Sequence, residues 1–359
     1  MEECLPLGGP VAAAELVGRR AMVAQLAAWL AEGFRLLLTG PSRCGKSSVL
    51  AAVAGQLEAA GIPTARVELG RCSTLRDAAT AIAAAWPEAP AAGGASPAEA
   101  LWRALQAPQG LGEPGTVSVL LLDGCEHLQR LGGLEVLAAL RPALQRLDRL
   151  ALLLAGPHGP GLAGLAGTRG GPFALPLTLE PPPAEAWRLD LPARLRRAGR
   201  NADPEAVERL IERTGGHPFD LMAACRCLPR REGRLGAAEA DAAVGSALAA
   251  LRPLLEAEAA ALNPEQHGVL HRLANGRPLY REAGAPVTVK RAVDALVAAG
   301  RLRRARRGAY AFSEPLLADC LRAGAAAPAV AAAPGVAAAP AVAAVPAGAA
   351  APAVTAAKS

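Results

Sequence analysis

The residues of this chain that could do chemistry begin with an eight-residue motif near the N-terminus. Residues 40–47 read Gly-Pro-Ser-Arg-Cys-Gly-Lys-Ser and match the pattern G-x-x-x-x-G-K-[ST]. In such a loop, backbone N–H groups surround a β-phosphate, and glycine provides the dihedral angles and the close approach that this requires. Lys46 would reach the β- and γ-phosphates, and Ser47 would offer its hydroxyl to Mg²⁺. Because only three of the 359 residues are lysine, the match is informative and predicts a site for ATP with Mg²⁺.

The predicted nucleotide-binding residues are the loop itself and the next residue of the helix that follows it. A strand-like run precedes the loop and a helical segment follows it, as a P-loop requires, whereas the alternative is a turn that matches by chance. The helix would direct its positive end at the phosphates. The residues are Gly40, Pro41, Ser42, Arg43, Cys44, Gly45, Lys46, Ser47 and Ser48.

An apolar run that ends in an acid provides the expected second half of the site. Residues 117–123 read as a buried strand of a parallel sheet, and Asp123 at its end is the predicted Mg²⁺ ligand together with Ser47. An aspartate that caps the next helix is the alternative interpretation.

The residue that would activate water is harder to assign. Many ATPases of this kind place a glutamate directly after the aspartate, but here that position is Gly124. Glu126 is the candidate catalytic residue, and it either faces the nucleotide across a turn or is solvated. The sequence therefore predicts binding and leaves hydrolysis open.

Alternating strands and helices must position these residues. A helix is predicted over residues 15–33, ahead of the first strand, and another over 48–60 directly after the P-loop. The alternation predicts an α/β fold, a P-loop NTPase core with a doubly wound parallel sheet. The strand-like runs lie at 34–39, 64–69, 117–123, 150–155 and 173–179.

Composition and predicted secondary structure divide the chain into four parts. Residues 1–183 hold the predicted ATPase core, and residues 184–261 read as a helical lid. Residues 262–323 combine short helices with a hairpin, which is the pattern of a winged-helix domain. Residues 324–359 are rich in Ala, Pro and Val, and a proline every six residues argues against a membrane helix and predicts a disordered tail.

Charge is unevenly distributed along the chain, and the cysteines and the N-terminal sequence indicate an intracellular protein. The net charge is +6, and residues 262–323 hold 11 Arg+Lys against 5 Asp+Glu, whereas residues 1–261 sum to −1. Seven cysteines include no C-x-x-C pair, which favours free thiols in a reducing cytosol. No basic segment followed by an apolar run opens the chain, so a signal peptide is not expected and the predicted location is cytoplasmic.

Four further segments resemble the STAND class of P-loop ATPases and their AAA+ relatives, which include archaeal-type ATPases and origin-recognition proteins. Residues 16–20 (Leu-Val-Gly-Arg-Arg) are similar to the hhGR box of that group, and residues 121–128 resemble its D-x-C-E-H-L variant. Residues 214–219 (Thr-Gly-Gly-His-Pro-Phe) resemble the GGxP signature of the lid, and residues 310–315 resemble the end of a wing. The resemblance spans residues 15–323.

The resemblance implies a strand order of 5-1-4-3-2, followed by a helical lid and a winged helix. It also implies that Pro218 packs near the adenine, although residues 216–218 alone would read as an ordinary helix-ending turn. The chain departs from the family at residues 156–158, which lack the usual polar sensor, so that His158 is a weak substitute. No arginine finger can be assigned, and Arg169 is only a candidate.

The basic segment has two interpretations. Residues 289–297 resemble the recognition helix of a winged helix, and Arg301–Arg307 adds five arginines on the following hairpin, which is the usual footprint of DNA binding. The other interpretation is a solvated surface or a module that docks on the ATPase core, as the winged helix often does in STAND proteins.

The function predicted from these observations is an ATP-binding molecular switch of the STAND/AAA+ type. ATP with Mg²⁺ would order the lid and the winged helix, and slow hydrolysis or exchange would reset them. Its expected partners are ATP and ADP, a protein partner or a second copy, and DNA if the winged helix reads it, with no membrane partner. The alternatives are a DNA-binding ATPase of the origin-recognition or transposition-helper type, and a nucleotide-binding scaffold without turnover.

Overall fold

A computed structural model describes most of the chain. Among the features predicted from sequence, His158, Arg169, Arg307 and the tail beyond residue 326 lie outside the described residues. The described residues are 5–86, 94, 96–110, 116–133, 135–136, 146–157, 162, 174–230, 233–280, 286–306 and 308–326.

Five parallel strands form the central sheet. Their order is β2-β3-β4-β1-β5, and every neighbouring pair is parallel. This confirms the doubly wound α/β fold and the predicted order 5-1-4-3-2, counted from the other edge. The carboxyl ends of the strands share one edge of the sheet, which is where ligands bind in such folds. The strands are β1 (Arg35–Thr39), β2 (Thr64–Glu68), β3 (Ser118–Asp123), β4 (Leu150–Gly156) and β5 (Leu175–Thr178).

Helices cover both faces of the sheet. They are α1 (Arg20–Ala31), α2 (Lys46–Ala59), α3 (Leu75–Ala84), α4 (Pro97–Gln106) and α5 (Cys125–Arg130). Leu36 and Leu38 of β1 pack with α1 and α2 on one face, whereas Leu37 packs with α3 and α4 on the other. Burial on both faces explains why the strand reads as a continuous apolar run.

The helix predicted over residues 15–33 is shorter than expected. It begins at Arg20 as α1, and a short 3-10 turn at Ala13–Glu15 precedes it. Gly18 separates the two with φ +64°, outside the helical range. A Cβ at Gly18 would lie 3.0 Å from the Cβ of Ala186, so the chain turns here to pack closely against the helices that follow the sheet.

After the sheet the chain continues as helices, as predicted. The breaks predicted at Gly199, Gly215 and Gly233 are confirmed, because each glycine lies between two helices and has a positive φ. The helices are α6 (Ala184–Arg197), α7 (Pro204–Thr214), α8 (Pro218–Cys227) and α9 (Ala237–Ala260).

The last described elements are helices and an antiparallel hairpin. They are α10 (Pro264–Ala274), α11 (Pro286–Ala298), β6 (Leu302–Arg306), β7 (Ala309–Phe312) and α12 (Pro315–Ala326). Two helices followed by a hairpin are the order that the sequence predicts for residues 262–323, whereas the helix α12 after the hairpin was not predicted. The end of α12 extends three residues into the segment predicted as tail.

The helical part of the chain shares one hydrophobic core. Leu191 of α6, Leu210 of α7, Leu255 of α9, Leu296 of α11 and Leu316 of α12 all belong to the same buried cluster. The C-terminal elements therefore pack tightly on the helices α6 to α9. Among the described helices, none combines the length and the apolar character that crossing a bilayer requires.

Candidate functional site

The loop between β1 and α2 has the conformation that a phosphate cradle requires. Gly45 directly precedes α2 with φ +95°, and Arg43 has φ +57°, the one positive value among the described residues other than glycine. Left-handed residues beside helical ones turn successive N–H groups to the same side, which makes an anion-binding concavity. A Cβ at Gly40 would lie 2.5 Å from the carbonyl oxygen of Leu179, so only glycine fits there. The loop leads into the positive end of α2, where a phosphate is stabilised.

Lys46 closes this loop on itself. Its Nζ donates hydrogen bonds to the carbonyl oxygens of Gly40 at 3.0 Å and Pro41 at 2.6 Å. Burial lowers the pKa of Lys46, and the nearby carboxylates of Glu126 and Asp123 oppose that shift. The ammonium group therefore lies within electrostatic range of both acids that the sequence predicts for the site.

Asp123 ends β3 with only 7% of its surface exposed. Nη2 of Arg66, on the neighbouring strand β2, lies 3.7 Å from its Oδ2. Ser47 lines the same pocket as Asp123. Hydroxyl and carboxylate oxygens are the hard ligands that Mg²⁺ prefers, so the residues present fit this ion. Sequence analysis missed Arg66, and the signal that could have found it is an arginine inside a strand of an otherwise buried sheet.

Ser48 has a partner outside the P-loop. Its Oγ accepts a hydrogen bond from the N–H of Val11 at 3.1 Å. This contact holds the N-terminal segment, residues 6–11, against the pocket beside the P-loop, which the segment helps to line. No motif in the sequence marks this segment, and sequence analysis missed it.

Glu126 lies in the first turn of α5, close behind Asp123. Its Oε2 is buried and accepts no hydrogen bond from the described residues, while its side chain as a whole is 42% exposed. A Cβ at Gly156, the last residue of β4, would lie 3.2 Å from this oxygen. One carboxylate oxygen thus points inward at the carboxyl edge of the sheet, while the rest of the side chain meets solvent.

A pocket of about 570 Å³ joins the P-loop to the lid. Its volume is in the range of small-molecule sites. Trp187 of α6 lines it and donates a hydrogen bond from Nε1 to the carbonyl oxygen of Gly216 at 2.9 Å, which fixes the turn before Pro218. Of the residues predicted from sequence, those that line it are Arg43, Cys44, Gly45, Lys46, Ser47, Ser48, Asp123 and Pro218. Those that do not are Gly40, Pro41, Ser42 and Glu126.

The tip of the P-loop contacts the C-terminal elements. Arg43 forms ion pairs with Glu258 of α9 and with Glu314, which directly precedes α12. Arg301 joins the same group, with its Nη1 2.5 Å from Glu258 and 3.6 Å from Glu314. Burial lowers the pKa of Arg43, but the two carboxylates outweigh it and the pKa is raised. The guanidinium of Arg43 also lies 5.1 Å from the ring centroid of Phe219.

A second contact joins the loop to the lid. Nε2 of His217, the residue before Pro218, lies 3.0 Å from the carbonyl oxygen of Ser42. His217 is fully buried at the N-terminus of α8. Two adjacent P-loop residues are thus held by three separate elements of the helical part. Sequence analysis singled out Arg43, Ser42 and Pro218 but did not connect them.

Comparison with known proteins agrees with this geometry. Residues 34–161 match the family model of the AAA domain. No curated protein matches the sequence.

Solved structures share the fold at low sequence identity. A Walker-type ATPase of Pyrococcus abyssi is similar with a TM-score of 0.66 and 16% identity, over 89% of this chain and 99% of the other. The structure of Drosophila ORC bound to DNA is similar with a TM-score of 0.53 and 15% identity, over 90% of each chain. Residues 34–161 therefore resemble an AAA domain in sequence, and the chain shares the α/β fold of P-loop ATPases.

Proposed function

We propose that this chain is an ATP-dependent molecular switch of the STAND type, in which the C-terminal elements respond to the nucleotide at the P-loop. The observation that carries the proposal is the pairing of Arg43 with Glu258 and Glu314. Arg43 belongs to the loop that would wrap the phosphates, and its two partners belong to the helical part. A change in the conformation of the loop therefore directly alters the ion pairs of Arg43 with Glu258 and Glu314.

The physical reason is that the ion pairs are largely removed from water. The side chains of Arg43 and Glu258 are each 18% exposed, and that of Glu314 is 5% exposed. Ion pairs in such surroundings depend strongly on geometry, because a partner that moves away leaves a charge without compensation. When a phosphate draws Lys46 away from the carbonyl oxygens of Gly40 and Pro41, the loop that carries Arg43 must adjust.

The chemistry of the nucleotide site follows from its own residues. Lys46 would bind the terminal phosphates, Ser47 and Asp123 would hold Mg²⁺, and Pro218 would contact the adenine. Mg²⁺, when bound, would offset the phosphate charge. Glu126 would orient the attacking water through its inward-facing oxygen, and turnover would be slow because no glutamate follows Asp123 directly.

The proposed domain division follows the roles of these parts. Residues 1–183 are the ATPase core, residues 184–261 the lid and residues 262–323 a winged helix. The cysteines that the structure describes are free, which supports a cytoplasmic protein. Release of the C-terminal elements would expose surface for a protein partner or for self-association.

A DNA-binding ATPase of the origin-recognition type is the second candidate. Lys290, Arg304, Arg306 and Tyr310 line one shallow pocket on the hairpin side of α11, and this basic surface favours it. However, Arg304 pairs with Asp294 at 3.1 Å, and Arg301 is paired within the Arg43 cluster. Two arginines of the expected DNA-reading surface are therefore already partnered by acids, which favours the switch.

Hydrogen exchange in the presence of ATP or ADP tests the switch. The sequence led us to expect that ATP orders these elements, but a phosphate that shifts Arg43 away from Glu258 and Glu314 would loosen them. We therefore expect residues 286–326 to exchange faster with ATP than with ADP in the wild-type chain. The double variant Glu258→Gln/Glu314→Gln should exchange fast with both nucleotides while it still binds them. Glu208→Gln, which removes an exposed partner of Arg188, is the matched control and should behave as wild type. Equal exchange with both nucleotides in the wild type would refute the switch.

A further inference from the structure

A cluster of three potential ligands lies buried beside the P-loop. His217 and Asp220 come from the start of α8, and Glu314 comes from the residue before α12. Their exposed fractions are 0%, 0% and 4%. One donor atom from each lies within 4.8 Å of the other two. Two segments far apart in the chain therefore bring an imidazole and two carboxylates to one point.

Asp220 has no adequate partner within the described part of the chain. Neither of its carboxylate oxygens accepts a hydrogen bond there, although both are fully buried. Oδ1 lies 3.5 Å from Nδ1 of His217, which also makes no hydrogen bond there. A buried carboxylate without hydrogen bonds is strongly unfavourable unless a cation compensates its charge.

The orientation of His217 suits a metal ligand. Nε2 lies 3.0 Å from the carbonyl oxygen of Ser42, and because a carbonyl oxygen can only accept, Nε2 carries the proton. In the neutral imidazole, Nδ1 then has a free electron pair, and this nitrogen lies 3.5 Å from Oδ1 of Asp220. Histidines that bind metals almost always donate their other ring N–H to such an acceptor, which fixes the tautomer and the ring orientation.

The charges around the cluster sum to a negative value that a cation would compensate. Arg43 and Arg301 offset two of the three acids Glu258, Glu314 and Asp220, so one negative charge remains when His217 is neutral. Burial lowers the pKa of His217, yet Asp220 and Glu314 outweigh this effect and the pKa is raised. A proton and a metal ion therefore compete for the electron pair of Nδ1.

We propose that His217, Asp220 and Glu314 bind a divalent transition-metal ion of the zinc class through Nδ1 and one oxygen of each carboxylate. One imidazole with two carboxylates suits Zn²⁺, whereas Mg²⁺ and Ca²⁺ prefer oxygen ligands alone. Each carboxylate oxygen has two lone pairs, so Glu314 can contact Arg43 and the ion together. The ion would cross-link the start of α8 to the segment before α12, next to Ser42 of the P-loop. This site does not depend on the function proposed for the nucleotide pocket.

Zinc binding to the full chain tests the site. The chain is freed of metal with a chelator, and Zn²⁺ alone is added while calorimetry and the thermal midpoint are recorded. His267 and His271 lie one turn apart on α10 and form a competing surface pair, so the measurement uses the His267→Ala background. We expect one Zn²⁺ per chain and a rise of several degrees in the midpoint.

Asp220→Asn is the decisive variant. It should weaken Zn²⁺ binding at least tenfold and abolish the midpoint shift. Without metal it should be no less stable than the parent chain, because it removes the uncompensated carboxylate, so a loss of binding cannot be ascribed to misfolding. Asp241→Asn, which removes an ion-paired acid on α9 outside the cluster, is the matched control and should bind Zn²⁺ as before.

Two results would overturn the proposal. The first is equal Zn²⁺ affinity in the parent chain and in Asp220→Asn, which would place the ion elsewhere. The second is a thermal midpoint that does not change when Zn²⁺ is added but falls as the pH rises. A raised His217 pKa stabilises the fold only while the imidazole is protonated, so that result would show that a proton, and not a metal ion, compensates Asp220.

Discussion

Arg43 and Glu314 form an ion pair although 271 positions separate them in the chain. The first residue lies in the loop that would bind the phosphates, and the second directly precedes the last described helix. The P-loop is thus in direct contact with the C-terminal elements, and no other side chain has to connect the two.

Lys46→Ala should abolish ATP binding. The substitution removes the ammonium group that would contact the terminal phosphates, and no other lysine lines the pocket. Titration calorimetry with ATP on both proteins measures the effect. Lys290→Ala, at an exposed position on α11, is the control and should bind ATP normally. Unchanged affinity in Lys46→Ala would mean that the P-loop assignment is wrong.

Asp123→Asn should strongly weaken Mg²⁺-dependent hydrolysis. Asparagine keeps the size of the side chain but removes the charge that would hold the ion at the end of β3. It also leaves Arg66, 3.7 Å away, without its acidic partner. Phosphate release measured across a Mg²⁺ titration should show a large rise in the concentration needed. If the Mg²⁺ dependence is that of the wild type, Asp123 is a helix cap and not a ligand.

Glu126→Gln should slow hydrolysis and leave ATP affinity unchanged. A positioned general base contributes about 10²–10⁴-fold to such a step, and glutamine cannot accept the proton. Single-turnover hydrolysis combined with calorimetry separates the two effects. A variant that hydrolyses ATP at the wild-type rate would show that Glu126 does not activate water, and that turnover depends on a residue of another subunit or is absent.

Gly40→Ala should destabilise the chain, whereas Gly55→Ala should stabilise it. A Cβ at Gly40 would meet the backbone oxygen of Leu179 at 2.5 Å, so β1 and the segment after β5 must separate. Gly55 lies exposed inside α2 with nothing within 4 Å of a new Cβ, and alanine there should add about 0.5–1 kcal/mol to the free energy of unfolding. Urea unfolding of both variants measures the difference. Equal stability of the two would contradict the close approach at Gly40.

Binding of duplex DNA should be weak and sensitive to salt. Residues 1–261 carry a net charge of −1, so the basic excess of the chain lies in the segment around the hairpin β6–β7. Each phosphate that this surface neutralises releases counterions, which makes binding fall steeply with salt. Fluorescence anisotropy on random and genomic duplexes at two salt concentrations, with and without ATP, measures it. Tight, ATP-dependent binding at physiological salt would instead favour the DNA-binding ATPase.

The sequence alone determined the parts of the site that are local in the chain. The P-loop, its following helix and the strand that ends at Asp123 each show within about ten residues the composition that their conformation requires. The resemblance added the order of the strands. The helix predicted over residues 15–33 was wrong in length, because the positive φ of Gly18 serves a close contact with Ala186 that no local pattern reveals.

Only the tertiary structure decided which distant residues complete the site. Arg66 reaches Asp123 because β2 pairs with β3, and Glu314 reaches Arg43 because α12 shares one core with the helices α6 to α9. Such contacts depend on how elements far apart in sequence pack against one another. A single charged residue forms no repeating pattern in the sequence, so its partner cannot be predicted from it. The P-loop motif could be predicted from one short segment of the sequence. The contacts of that loop with the rest of the molecule, by contrast, arise only when the chain is folded.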